Sequence, residues 1–142
     1  MGAKTGVDGT LDVSTYGNVN WAPAPYLSTQ ITASSANVAN AVASATLAGA
    51  SGKTTYITGF QVTASGATAG LAVTGTVTGL ISGTTNFTFV FPAGVAVAAQ
   101  PLNYFFDPPI PASAQNTAIV VSVPAGGSGN TNTTVSAQGF QL

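Results

Sequence analysis

The sequence predicts an all-β fold: an antiparallel β-sandwich of jelly-roll or immunoglobulin-like type, preceded by an extended N-terminal arm. Two observations predict the sandwich. Short apolar or Thr-rich runs alternate with period two, which sends one set of side chains to each face of a strand. Between these runs lie breakers such as Ser82-Gly83, Pro92-Ala93-Gly94, Pro108-Pro109 and Gly126-Gly127-Ser128-Gly129-Asn130. The arm follows from Asn18-Val19-Asn20-Trp21-Ala22-Pro23-Ala24-Pro25-Tyr26, where alternating prolines favour extended backbone. The division expected is an arm over residues 1–30 and a single sandwich domain over 31–142.

Taken in order, the strand candidates are Ala39–Leu47, Thr54–Thr63, Leu71–Leu80, Thr84–Phe91, Leu102–Phe106, Thr117–Val123 and Thr133–Leu142. Within Leu71–Leu80, residues Leu71, Val73 and Val77 share one face and Thr74, Thr76 and Thr78 the other. Phe87, Phe89 and Phe91 form a second row, with Thr88 and Val90 opposite them. Ile119, Val121 and Val123 form a third. Gly59 and Gly139 interrupt their strands, as glycines at bulges do. At Gly139 the apolar phase passes from Val135 and Ala137 to Phe140 and Leu142, which predicts a bulge there. The Ala-rich stretch 34–50 also suits a helix. Its only large apolar residues are Val38, Val42 and Leu47, too weak a stripe, so it reads as strand. Seven short strands with turns between them make a sandwich or barrel.

The composition bears on function by what it lacks. The 142 residues include only five charges, Lys4, Lys53, Asp8, Asp12 and Asp107, and no Arg, Glu, His or Cys. The usual general acids and bases, thiol nucleophiles, zinc ligands, disulfides and bidentate phosphate clamps are therefore missing, and no enzyme and no cofactor are expected. A compact chain of 13.9 kDa exposes roughly 6,700 Å², or about one charge per 1,300 Å². Net charge is −1, which attracts neither nucleic acid nor an anionic membrane. Surface polarity comes from Thr, Ser, Asn and Gln, and a neutral surface of this kind invites self-association. No apolar run approaches the roughly 18 residues that span a bilayer, and Met1–Gly6 opens no secretory signal.

Motif by motif, the candidates are bland. Gly49-Ala50-Ser51-Gly52-Lys53-Thr54 approaches a phosphate-binding loop, but Leu47 stands where the pattern needs glycine, so a turn into the Tyr56 strand is the better reading. Asp8 and Asp12 are too few for calcium. The sequons at Asn86 and Asn132 are expected by chance in so Asn- and Thr-rich a chain. Lys53 and Asp107, the only charges of the body, are a candidate ion pair. A sharper alternative is an isopeptide bond from Lys53 to Asn103, assisted by Asp107, as in bacterial surface adhesin domains. Tyr56, Phe60, Phe87, Phe89, Phe91, Tyr104, Phe105 and Phe106 read as core. A sugar platform would use exposed Trp or Tyr, and only Tyr16, Trp21 and Tyr26 lie outside the strands. The arm residues Tyr16, Trp21, Pro23, Pro25 and Tyr26 are the candidate interface, because buried Trp is a frequent hot spot.

Three segments carry a family resemblance: Gly52–Val62, Pro109-Ile110-Pro111 leading to Asn116–Ile119, and the closing Val135–Phe140. Over roughly residues 45–142 the chain resembles the small all-β structural proteins of tailed bacteriophages that decorate or cement capsids. The resemblance implies a non-enzymatic virion component, made in the host cytoplasm without a signal peptide. It also implies an oligomer, a trimer being favoured, and a capsid partner such as the major capsid protein. A tail-fibre or receptor-binding domain that binds carbohydrate, and a bacterial adhesin module, are the alternative readings.

Overall fold

The computed structural model describes residue 25 and residues 27–142. Among the described residues there are eight strands: β1 (Thr29–Ser34), β2 (Ala43–Leu47), β3 (Thr55–Ala64), β4 (Leu71–Leu80), β5 (Gly83–Phe91), β6 (Leu102–Pro111), β7 (Ile119–Val123) and β8 (Thr133–Gln141). They form two four-stranded antiparallel sheets, in the orders β1-β8-β3-β6 and β2-β7-β4-β5. The inner faces of both sheets supply one apolar core, so the all-β expectation and its sandwich-like form hold.

Strand formation follows the period-two rows. In β7, Ile119, Val121 and Val123 are buried while Val120 and Ser122 are half-exposed. In β5 the row Phe87, Phe89, Phe91 turns inward, and Val90 on the opposite face is 57 % exposed. In β2, Ala43, Ala45 and Leu47 are buried and Ser44 and Thr46 exposed, which places this part of the Ala-rich stretch in a strand. A helix through 34–50 is blocked by positive φ at Ala36 (60°) and Asn40 (44°). Phe91, Leu47, Ile57, Ile119 and five valines are fully buried, each contributing about 1.5–3 kcal/mol of transfer free energy.

The structure corrects the sequence reading in three places. Strand β1 was not among the expected strands. Its outward residues are polar and its inward ones are only Ile31 and Ala33, too little apolar surface to signal a strand before β8 is there to pair with it. Pro108 and Pro109 do not end β6, which continues to Pro111. Among the described strands β6 lies at the edge of its sheet, where prolines cost no ladder hydrogen bond on the side away from β3. Lastly, the extra residue near Gly139 lies in the neighbouring strand. The pairing of β3 with β8 shifts between Ile57 and Gly59, so the bulge contains Thr58, while β8 pairs with β1 without a break.

That bulge sets the inward phase of β3. Thr55 and Ile57 face the core before it; Phe60 and Val62 do so after it. Strand β8 keeps one phase throughout, with Gly139 and Gln141 continuing the row of Thr133, Val135 and Ala137. Phe140 therefore points to the outer face, where it is buried by stacking on Tyr56 at 4.8 Å. Gly139 must be glycine, since a Cβ there would lie 1.9 Å from the Tyr56 carbonyl oxygen.

At one end of the sandwich, the loop before β8 is fastened by Asn130, which is 3 % exposed. Its amide donates to the carbonyls of Ser65 (2.8 Å) and Asn132 (3.0 Å). Its Oδ1 accepts from the Asn40 backbone N–H (2.9 Å) and the Thr133 hydroxyl (3.1 Å).

Candidate interaction surfaces

Of the candidate arm residues, Tyr16, Trp21, Pro23 and Tyr26 lie outside the described residues, as does most of the expected arm; Pro25 is exposed. Among the described residues no three His, Cys, Asp or Glu side chains come together as metal ligands, and no helix is long and apolar enough to cross a membrane.

The two body charges are placed by register. Lys53 precedes β3, with its backbone carbonyl accepting from Asn116 N–H (2.9 Å). Its ammonium donates to Thr29 Oγ1 at 3.1 Å. Asp107 lies in the part of β6 that loops out between Phe105, opposite Gly59, and Ile110, opposite Ile57. The expected pair is thus replaced by a hydrogen bond from β3's entry to β1. Asn103 is farther still. It sits opposite Gln61, eight residues along from Lys53, which at about 3.3 Å per residue is roughly 25 Å. The Gln61 amide donates to Asn103 Oδ1 (2.7 Å). A Lys53–Asn103 isopeptide bond cannot form across that distance.

The segment 49–54 is the turn the sequence suggests, with Ala50 bridged to Lys53 and Gly52 at φ 73°. A strand follows it, where a phosphate-binding loop would open a helix.

The aromatics divide in a way the sequence reading did not foresee. Phe60, Phe89 and Phe91 are buried as expected, but Tyr104 is 43 % and Phe105 69 % exposed. Three consecutive aromatics on one strand cannot all face inward, and that alternation was the available signal. Tyr104 and Phe106 lean on Phe60 at 5.5 and 6.1 Å, and Phe60 also meets Phe87 of the other sheet at 4.8 Å. Phe105 takes the outer face. There its Cδ1 would stand 3.0 Å from a Cβ on Gly59, so the ring lies over that glycine.

Two neutral surfaces result. On the outer face of the β1-β8-β3-β6 sheet, Thr32, Ser34, Gln61, Asn103, Phe105 and Gln138 border a groove of about 450 Å³. At the edge of the other sheet, β5 pairs only with β4 among the described strands. Its nine residues, Gly83–Phe91, include no charge and no proline. Natural edge strands usually carry one or the other to block pairing with a further chain; β6 has Asp107 and three prolines. In comparisons with known proteins, no family model matches the chain, and no curated protein or solved structure does either.

Proposed function

We propose that this chain is a non-enzymatic structural component of a bacteriophage virion, of the capsid decoration kind, with a jelly-roll winding of its strands. The winding is supported by the pairing order. The pairs β1–β8, β2–β7, β3–β6 and β4–β5 nest like one long hairpin folded over, and all four are directly hydrogen-bonded neighbours in the two sheets. An immunoglobulin constant-type sheet runs in the order first, second, fifth, fourth strand, which neither sheet here follows. Jelly rolls serve in viral capsid and lectin domains, so the winding is compatible with the role without choosing it.

The observation that carries the role is the uncharged β5 edge, a ready template for a neighbouring chain. On this reading the first partners are further copies, in a closed trimer, and the next is the major capsid protein. Trp21 of the arm is the intersubunit anchor. Nucleic acid and membrane are left out, because two lysines and no arginine supply little attraction for phosphate. Synthesis is cytoplasmic and the final location is the virion.

Immunogold labelling of phage particles from lysates that express the gene tests the role. Gold over the capsid shell is expected. Gold at the tail tip would transfer the role to receptor binding, and particles without label would overturn it. Light scattering after size exclusion should give a trimer mass, and a monomer would refute the self-association.

A further inference from the structure

We propose that the outer face of the β1-β8-β3-β6 sheet binds a neutral saccharide, with Phe105 as the stacking platform and the side chains of Gln61, Asn103 and Gln138 as its hydrogen-bonding partners. This site is separate from the β5 edge and does not depend on the virion role.

The platform is built, not incidental. Phe105 is 69 % exposed, and an aromatic ring left in water forgoes the burial that gives phenylalanine its stabilising value. Its position is nevertheless defined, because Gly59 across the strand pair has no Cβ and receives one side of the ring. Covering a strand glycine is itself a structural service, but that uses one side of the ring only. The other side remains available to the flat, C–H-bearing face of a pyranose.

The polar groups match the rest of a sugar. The Gln61–Asn103 hydrogen bond fixes both amides and leaves a Gln61 carbonyl acceptor and an Asn103 N–H donor unused. Gln138 and the hydroxyls of Thr32 and Ser34 complete the border. A hydroxyl-rich ligand needs this mixture of donors and acceptors. Among the described residues no charged side chain lines the groove, which leaves an anionic ligand unpaired and selects a neutral one. The volume of about 450 Å³ falls within the usual range for small-molecule sites. Four regular strands hold the groups, and sites on regular elements keep their geometry better than sites on loops.

The test is saturation-transfer difference NMR on the full chain. The neutral panel is maltotriose, cellotriose, mannotriose, galactotriose and triacetylchitotriose, with trigalacturonate as the acidic control. Transfer to at least one neutral trisaccharide and none to trigalacturonate is expected. Phe105→Ala should weaken that binding about tenfold or more. Asn103→Ala, which leaves the ring over Gly59, should weaken it several-fold and guards against misfolding of the first variant. Silence across the neutral panel, equal transfer to the acidic control, or undiminished binding by Asn103→Ala would overturn the proposal and leave the face to a protein partner.

Discussion

Replacing Asn130 by alanine removes four hydrogen bonds from one buried side chain, two donated and two accepted. At a net of about 1 kcal/mol each, the loss is about 4 kcal/mol. Two of the four are fully buried, so the Ser65 carbonyl and the Thr133 hydroxyl lose partners where water does not readily substitute. The Asn132 carbonyl keeps the Ser65 backbone N–H at 2.8 Å, which softens the cost at that point. An expected destabilisation of about 3–5 kcal/mol follows, equivalent to a fall in melting temperature of about 15 °C for a domain of this size. Asn130→Asp sharpens the test. It preserves shape and both acceptor bonds, yet turns a carboxylate oxygen toward the carbonyls of Ser65 and Asn132. It should therefore destabilise at least as much as alanine. Equilibrium urea denaturation followed by far-ultraviolet circular dichroism measures both, with an unchanged m-value showing that the denatured state is the same. A loss below about 1 kcal/mol for Asn130→Ala, or a milder effect for Asn130→Asp than for Asn130→Ala, would refute the claim that this side chain fastens the loop.

Three further outcomes are expected. Gly139→Ala forces a Cβ onto the Tyr56 carbonyl, a backbone clash that no side-chain rotation relieves; soluble expression at 37 °C should fail, and a variant within 1 kcal/mol of wild type by denaturation would contradict the register described. Phe91→Ala empties a fully buried position in edge contact with Phe89 and should cost about 3–5 kcal/mol, whereas Phe105→Ala, at 69 % exposure, should cost less than about 1 kcal/mol in the same assay. Lys53→Ala and Asp107→Ala should have additive effects in a double-mutant cycle, to within about 0.5 kcal/mol, because Lys53 bonds Thr29 and not Asp107; the intact mass should equal the full sequence mass, without the loss of ammonia that a crosslink would cause.

Much of the fold was legible because alternation is a local property. The rows Phe87-Phe89-Phe91 and Ile119-Val121-Val123 need only the pleat of a strand to declare one face inward, and both are inward. The breaker at Ser82-Gly83 marks the β4–β5 hairpin for the same reason. The surface chemistry was equally local, since a chain with five charges has little else to present. The candidate surfaces were less legible. The clustering of Gln61, Asn103 and Gln138 joins three strands far apart in sequence, and the exposure of Phe105 depends on the register of β6 against β3, which decides the aromatic that faces outward.

Side-chain polarity and turn residues act on their own neighbours, and so the chain alone specifies alternating strands that carry almost no charge. Tertiary structure decided the rest. Antiparallel pairing between distant strands made Thr29–Ser34 a strand, and the one extra residue at Thr58 set which side chains of β3 face the core. The same pairing laid Phe105 over Gly59 and held Lys53 eight residues from the register position of Asn103. Each of these is a contact between segments that do not know of one another until the sheets close, and pairing free energy across the sheet, not local propensity, settles them.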